Sequence, residues 1–77
     1  MLLQDYFNSI IGKCFHYSND LDYPHGKMVA IVPVEYRGGF YFDTLICYVS
    51  FTDGYMGSYS FKADNELRKM FKALKRF

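Results

Sequence analysis

Between Lys27 and Lys62, three apolar stretches of strand-forming residues are separated by two short glycine-bearing segments, and this arrangement restricts the chain more than any other feature. Apolar runs joined by such short loops are driven to become antiparallel neighbours. A two-residue turn at Gly38-Gly39 predicts Tyr36 opposite Tyr41, Val32 opposite Leu45 and Ala30 opposite Cys47. A three-residue turn at Thr52-Asp53-Gly54, with the glycine left-handed, predicts Phe51 opposite Tyr55, Cys47 opposite Tyr59 and Leu45 opposite Phe61. Both turns place the odd positions of the middle strand on one face. The expectation is a meander of residues 27–36, 40–51 and 55–62.

Its first face then holds Met28, Ala30, Val32, Val34, Tyr36, Leu45, Cys47, Val49, Phe51, Tyr55, Tyr59 and Phe61, with Asp43 a misfit near the glycine pair. Its second face collects Val29, Ile31, Phe40, Phe42, Ile46, Tyr48 and Met56, with Thr44, Ser50, Ser58 and Ser60 between them. Pro33 has no N–H, so the strand that carries it is expected at an edge or bulged there.

The flanking segments read as helices. Leu3, Tyr6, Phe7 and Ile10 recur at helical spacing within residues 2–11, and Gly12 is placed to end that helix. Lys13–Tyr17 reads as a short strand, and residues 18–26 as a loop of Asx, Pro and Gly. At the other end, Asp64 is the expected N-cap of a helix with an apolar arc of Leu67, Met70, Phe71, Leu74 and Phe77. The opposite arc carries Arg68, Lys69, Lys72, Lys75 and Arg76. The predicted fold is one α+β domain over residues 1–77, a two-layer sandwich in the order α-β-β-β-β-α. Both helices lie on the Leu45/Cys47 face of an antiparallel sheet of three to four strands. The alternative is a three-layer fold in which the N-terminal helix covers the second face.

Composition enters where it limits function. With 77 residues, of which 51% are hydrophobic and 22% charged, the chain is expected to fold but to hold only a small core. Tyr and Phe supply all of the 21% aromatic content, which suits a small core made of large rings. No cleavable leader pattern and no membrane-length apolar run is present, so a cytoplasmic protein without a membrane partner is expected. Cys14 and Cys47 are then expected to be free thiols.

Catalytic signatures are missing: there is no phosphate loop, nucleophile elbow or zinc-protease helix. A nucleophile can be imagined from Cys14 with His16 or His25, but Cys14 and His16 alternate along a strand, where packing or a solvated edge is the commoner role. Cys14, His16, His25 and Cys47 match no zinc spacing, and Asp20 and Asp22 fit loop-forming roles better than a calcium site. No enzyme activity, cofactor or metal is expected. Charge is uneven: residues 64–77 hold five Lys/Arg against two acids, and residues 1–63 hold four against six. The basic arc of the last helix is therefore a candidate contact for phosphates or an acidic partner.

The helix–strands–helix order is similar to that of double-stranded RNA-binding domains. The run Asp22-Tyr23-Pro24-His25-Gly26-Lys27 resembles the loop that this family inserts into a minor groove. The resemblance implies RNA binding through that loop and the start of the last helix. Where the family places a lysine pair, this chain reads Lys62-Ala63-Asp64-Asn65-Glu66. Size and the lack of catalytic motifs also resemble the small inhibitors and accessory proteins of phages, anti-CRISPR proteins among them. Near-equal acids and bases disfavour DNA mimicry. The leading expectation is a non-enzymatic protein-binding module that occupies a partner surface or forms a homodimer through the second sheet face. Nucleic-acid binding through the last helix is the alternative.

Overall fold

The computed structural model describes residues 2–17 and 26–77. Its elements run α1 (Leu3–Ser9), β1 (Phe15–His16), β2 (Met28–Arg37), β3 (Thr44–Phe51), β4 (Met56–Lys62) and α2 (Asn65–Ala73). The strands form one antiparallel sheet in the order β1-β2-β3-β4. Phe7 and Ile10 of the N-terminal region join Leu67 and Phe71 of α2 in one core with Leu45, Cys47, Val49 and Phe51. Both helices therefore cover the same face. This is the predicted α+β sandwich of two layers, and the N-terminal helix does not cross to the other side.

The second turn forms as the sequence predicts. Gly54 takes φ +89, its N–H donates to the Phe51 carbonyl at 3.0 Å, and Phe51 N–H donates to the Tyr55 carbonyl at 2.9 Å. Cys47 then faces Tyr59 and Leu45 faces Phe61, in an unbroken ladder.

The first turn does not. Type I′ and II′ turns need positive φ, and neither Gly38 nor Gly39 has it. Residues 38–43 form a longer loop instead, and the ladder pairs Tyr36 with Leu45, Val32 with Tyr48 and Pro33 with Cys47. Asp43, the expected misfit, holds this loop together. Its carboxylate accepts from the Gly39 N–H at 3.1 Å and from the Tyr36 hydroxyl, while its carbonyl accepts from Ala63 N–H at 2.8 Å. A Cβ on Gly39 would collide with the Phe42 carbonyl, so the loop can close this tightly only with glycine there.

Two register shifts in β2, between Met28 and Ala30 and between Pro33 and Glu35, change which residues face inward. Met28, Ile31 and Pro33 are buried, and Tyr36 stacks on Phe7 with ring centroids 6.0 Å apart. Ala30, Val32 and Val34, expected in the core, are only partly buried. Pro33 is bulged, as expected, and costs the β2–β3 ladder no donor. Its carbonyl accepts from Gly12 N–H at 2.7 Å, and the N and O of one strand residue leave on the same side, here away from β3.

α1 is shorter than its periodicity suggests, and Gly12 follows its end at φ +82. Asp64 caps α2, accepting from Leu67 N–H at 2.9 Å. That helix stops at Ala73 rather than running to Phe77. The last residues turn back along β1 instead: His16 N–H donates to the Lys75 carbonyl at 2.7 Å and Phe77 N–H to the Cys14 carbonyl at 3.1 Å. Phe77 thereby leaves the predicted apolar arc and stacks on His16, centroids 3.5 Å apart. These sheet bonds and the ring stack compete with a further helical turn, which would hold the same residues away from β1.

Candidate functional site

Residues paired across an antiparallel ladder stand on the same side of the sheet. The helix-free face is therefore built of rows. His16, Ala30, Ser50 and Met56 form one row, Val32, Tyr48 and Ser58 the next, then Glu35, Ile46 and Ser60, then Arg37, Thr44 and Lys62. Tyr48 is 47% and Met56 60% exposed, with Ile46 and Val32 partly covered by their neighbours. Arg37 pairs with Glu35 at 3.1 Å along the charged end of the face.

Beyond that end stands the loop of Phe40, Tyr41 and Phe42. Phe40 and Tyr41 are 93% and 89% exposed, their rings edge to face at 4.9 Å. Phe42 is half exposed, and the Lys62 ammonium sits 5.6 Å from its ring centre, which ties the loop to the last row of the sheet face. Rings this exposed sit in a loop whose backbone the Asp43 carboxylate holds through the Gly39 N–H while the Tyr36 hydroxyl of β2 anchors the carboxylate itself.

Of the residues that the sequence assigns to this surface, Ile46, Tyr48 and Met56 lie on it. Val29 is exposed at the first register shift of β2, beside the face rather than in a row. Phe40 and Phe42 belong to the loop at its rim rather than to β3. Ile31 is a correction: it is fully buried opposite Val49, because the shift at Val29 turns it inward. Tyr41, Val32 and the His16–Phe77 stack were not anticipated. An unalternating Phe-Tyr-Phe run between Gly-Gly and Asp is the signal that would have revealed Tyr41, since a half-buried strand seldom carries three rings in succession.

The Tyr36–Asp43 pair supports this surface electrostatically. Its hydrogen bond to the carboxylate, with burial and the negative charge adding to it, pushes the Tyr36 phenol up to about 12. The same bond, helped by Gly39 N–H, lowers the Asp43 carboxyl below its ordinary value. A raised acid stabilises the fold fully below its unfolded value of 10 and loses that contribution as pH climbs towards 12. The lowered carboxyl contributes above its ordinary 3.8 and ceases to do so as pH falls through the folded value. Thermal melts should therefore decline between pH 10 and 12, and the decline should be shallower in Tyr36→Phe. In a phenolate absorbance titration, the latest-ionising tyrosine should vanish in that variant. An unchanged titration would show that Tyr36 does not hold the loop.

The predicted basic arc is divided. Arg68, Lys69 and Lys72 lie on α2, while Lys75 and Arg76 belong to the segment laid along β1. Lys69 approaches Glu66 at 3.8 Å, and the Lys72 ammonium lies 5.6 Å from the Tyr6 ring centre. Burial raises the Tyr6 phenol, partly offset by the Arg68 charge.

A shallow groove of about 500 Å³ lies between His16, Val29, Thr52 and Leu74. Among the described residues no group of His, Cys, Asp or Glu is arranged to hold a metal ion. His25 and most of the loop that resembles the RNA-binding family lie outside the described residues. Cys14 and Cys47 are both free thiols, half-buried and buried. Among the described residues, no helix is long and apolar enough to cross a membrane. No protein-family model, curated protein or solved structure matches this chain.

Proposed function

We propose that this protein is a small non-enzymatic module that binds a protein partner with its helix-free sheet face and the adjoining aromatic loop. It acts by occupying the partner's surface, as an inhibitor or accessory factor. The observation that carries this reading is that Tyr48 and Met56 are exposed on the sheet face turned away from both helices, with Phe40 and Tyr41 exposed on the loop beyond its charged end. Large rings anchor interfaces because they bury much area while losing few rotamers, and exposed ones on two neighbouring parts of a surface suit that role.

The experiment is affinity capture from the source organism with wild-type and substituted baits. A partner retained by wild type and by Lys72→Ala should be lost from Tyr48→Ser and Phe40→Ser. Each should weaken measured association by more than about 1 kcal/mol, with little change in melting temperature. Loss through Lys72→Ala with full retention by Tyr48→Ser would move the site to α2. Unfolding of Tyr48→Ser would show that the ring packs rather than binds.

A further inference from the structure

The two edges of the sheet are treated differently. On the β1 side, the row of outward groups among the described residues is short and broken. β1 has two residues and is itself overlaid by Lys75–Phe77, and β2 is interrupted by Pro33, which lacks an N–H, and by the register shift at Val34. β4 is different. Its ladder with β3 is unbroken, and its ends are fixed by the bonds between Phe51 and Tyr55 and between Ala63 and Asp43. Alternation between those ends turns Gly57, Tyr59 and Phe61 towards β3, and turns the N–H and C=O of Met56, Ser58, Ser60 and Lys62 outward. Among the described residues no strand pairs with that side. The usual protections of an edge are missing as well: from Met56 to Phe61 there is no proline, no charge and no bulge.

We propose that the occupant of this edge is a second copy of the chain, with β4 pairing antiparallel to itself about a twofold axis at Tyr59. The register is self-complementary. Ser58 stands opposite Ser60 of the second copy and Met56 opposite Lys62, so no like charges meet. The partly buried Tyr59 ring faces its own symmetry mate on the helix side. Every outward N–H and C=O of β4 finds a partner, and two four-stranded sheets become one. Because among the described residues the β1 edge offers no equivalent row, pairing closes at a dimer instead of growing into a filament. The two helix-free faces then form one surface. This pairing does not rest on the partner-binding reading above, since it uses the backbone of β4 rather than the side chains of the face.

Sedimentation equilibrium tests it. Wild type should approach twice its 9.1 kDa mass as concentration rises into the hundreds of micromolar. Ser60→Pro should remain at the single-chain mass with an unchanged far-ultraviolet circular-dichroism spectrum. Proline there removes only an outward N–H, and sheet edges tolerate it on that side. Hydrogen exchange on the wild type gives a second reading that does not require the variant to fold. The amides of Ser58, Ser60 and Lys62 should slow with concentration, while those of Tyr59 and Phe61 stay protected throughout. A dimer that survives in folded Ser60→Pro would overturn the proposal. So would a wild type that stays monomeric with fast-exchanging edge amides at every concentration.

Discussion

Cys47→Asp is expected to abolish the cooperative thermal transition of this protein. Cys47 is fully buried on β3 between Pro33 and Tyr59, and burial alone pushes its thiol up to about 12. A site that resists a thiolate this strongly will resist a carboxylate too, and no cationic partner stands among its ladder neighbours. Burying an unpaired charge costs several kcal/mol, against roughly 5–15 kcal/mol for the whole stability of a typical domain and less for one this small. Circular-dichroism melts of Cys47→Asp and Cys47→Ala separate loss of volume from burial of charge. Alanine should lower the midpoint and aspartate should remove the transition. A wild-type melt from the aspartate variant would place residue 47 at the surface and refute the register of β3. In the native protein Cys47 should react with thiol reagents only on unfolding, whereas half-buried Cys14 should react first.

Phe71→Ala should be the most damaging truncation in α2, costing about 3–5 kcal/mol in urea unfolding. The ring is 1% exposed and meets Phe15 edge to face, with centroids 5.3 Å apart. Phe15 lies in β1, so this contact fastens the helix to the strand on which Lys75–Phe77 are laid. Loss of the ring should therefore also expose the amides of His16 and Phe77 to hydrogen exchange. Lys72→Ala, one residue along the same helix and exposed, should change stability by no more than about 0.5 kcal/mol. Equal midpoints for Phe71→Ala and Lys72→Ala would mean that α2 does not pack through this face.

Much of this architecture is legible in the residues alone, because short-range chemistry decides it. The Thr52-Asp53-Gly54 turn, the Asp64 cap and the inward set Leu45, Cys47, Val49 and Phe51 follow from left-handed glycine, side-chain capping and period-two alternation. The β3 face is the same in expectation and structure even though the Gly38-Gly39 turn is not. That strand carries no irregularity, and the second turn alone is enough to set it.

Tertiary contacts decided the rest. Alternation in β2 predicts Ala30, Val32 and Val34 inside, yet two one-residue shifts bring Ile31 and Pro33 inward, since only a bulge lets both Met28 and Tyr36 also reach the core. Pro33 marks one of these sites locally, but no local pattern marks the shift at Val29, which is fixed by what the opposite strand and helices leave to be filled. The placing of Phe40, Tyr41 and Phe42 on a loop depends on Asp43 reaching Tyr36 and Gly39, a set of partners that forms only once the register is fixed. The end of α2 at Ala73 likewise depends on β1, which offers the last residues sheet hydrogen bonds and a ring to stack on. Turns, caps and alternation act over a few residues and can be read from the sequence; bulges, loop anchors and edge pairing are settled between segments far apart in the chain.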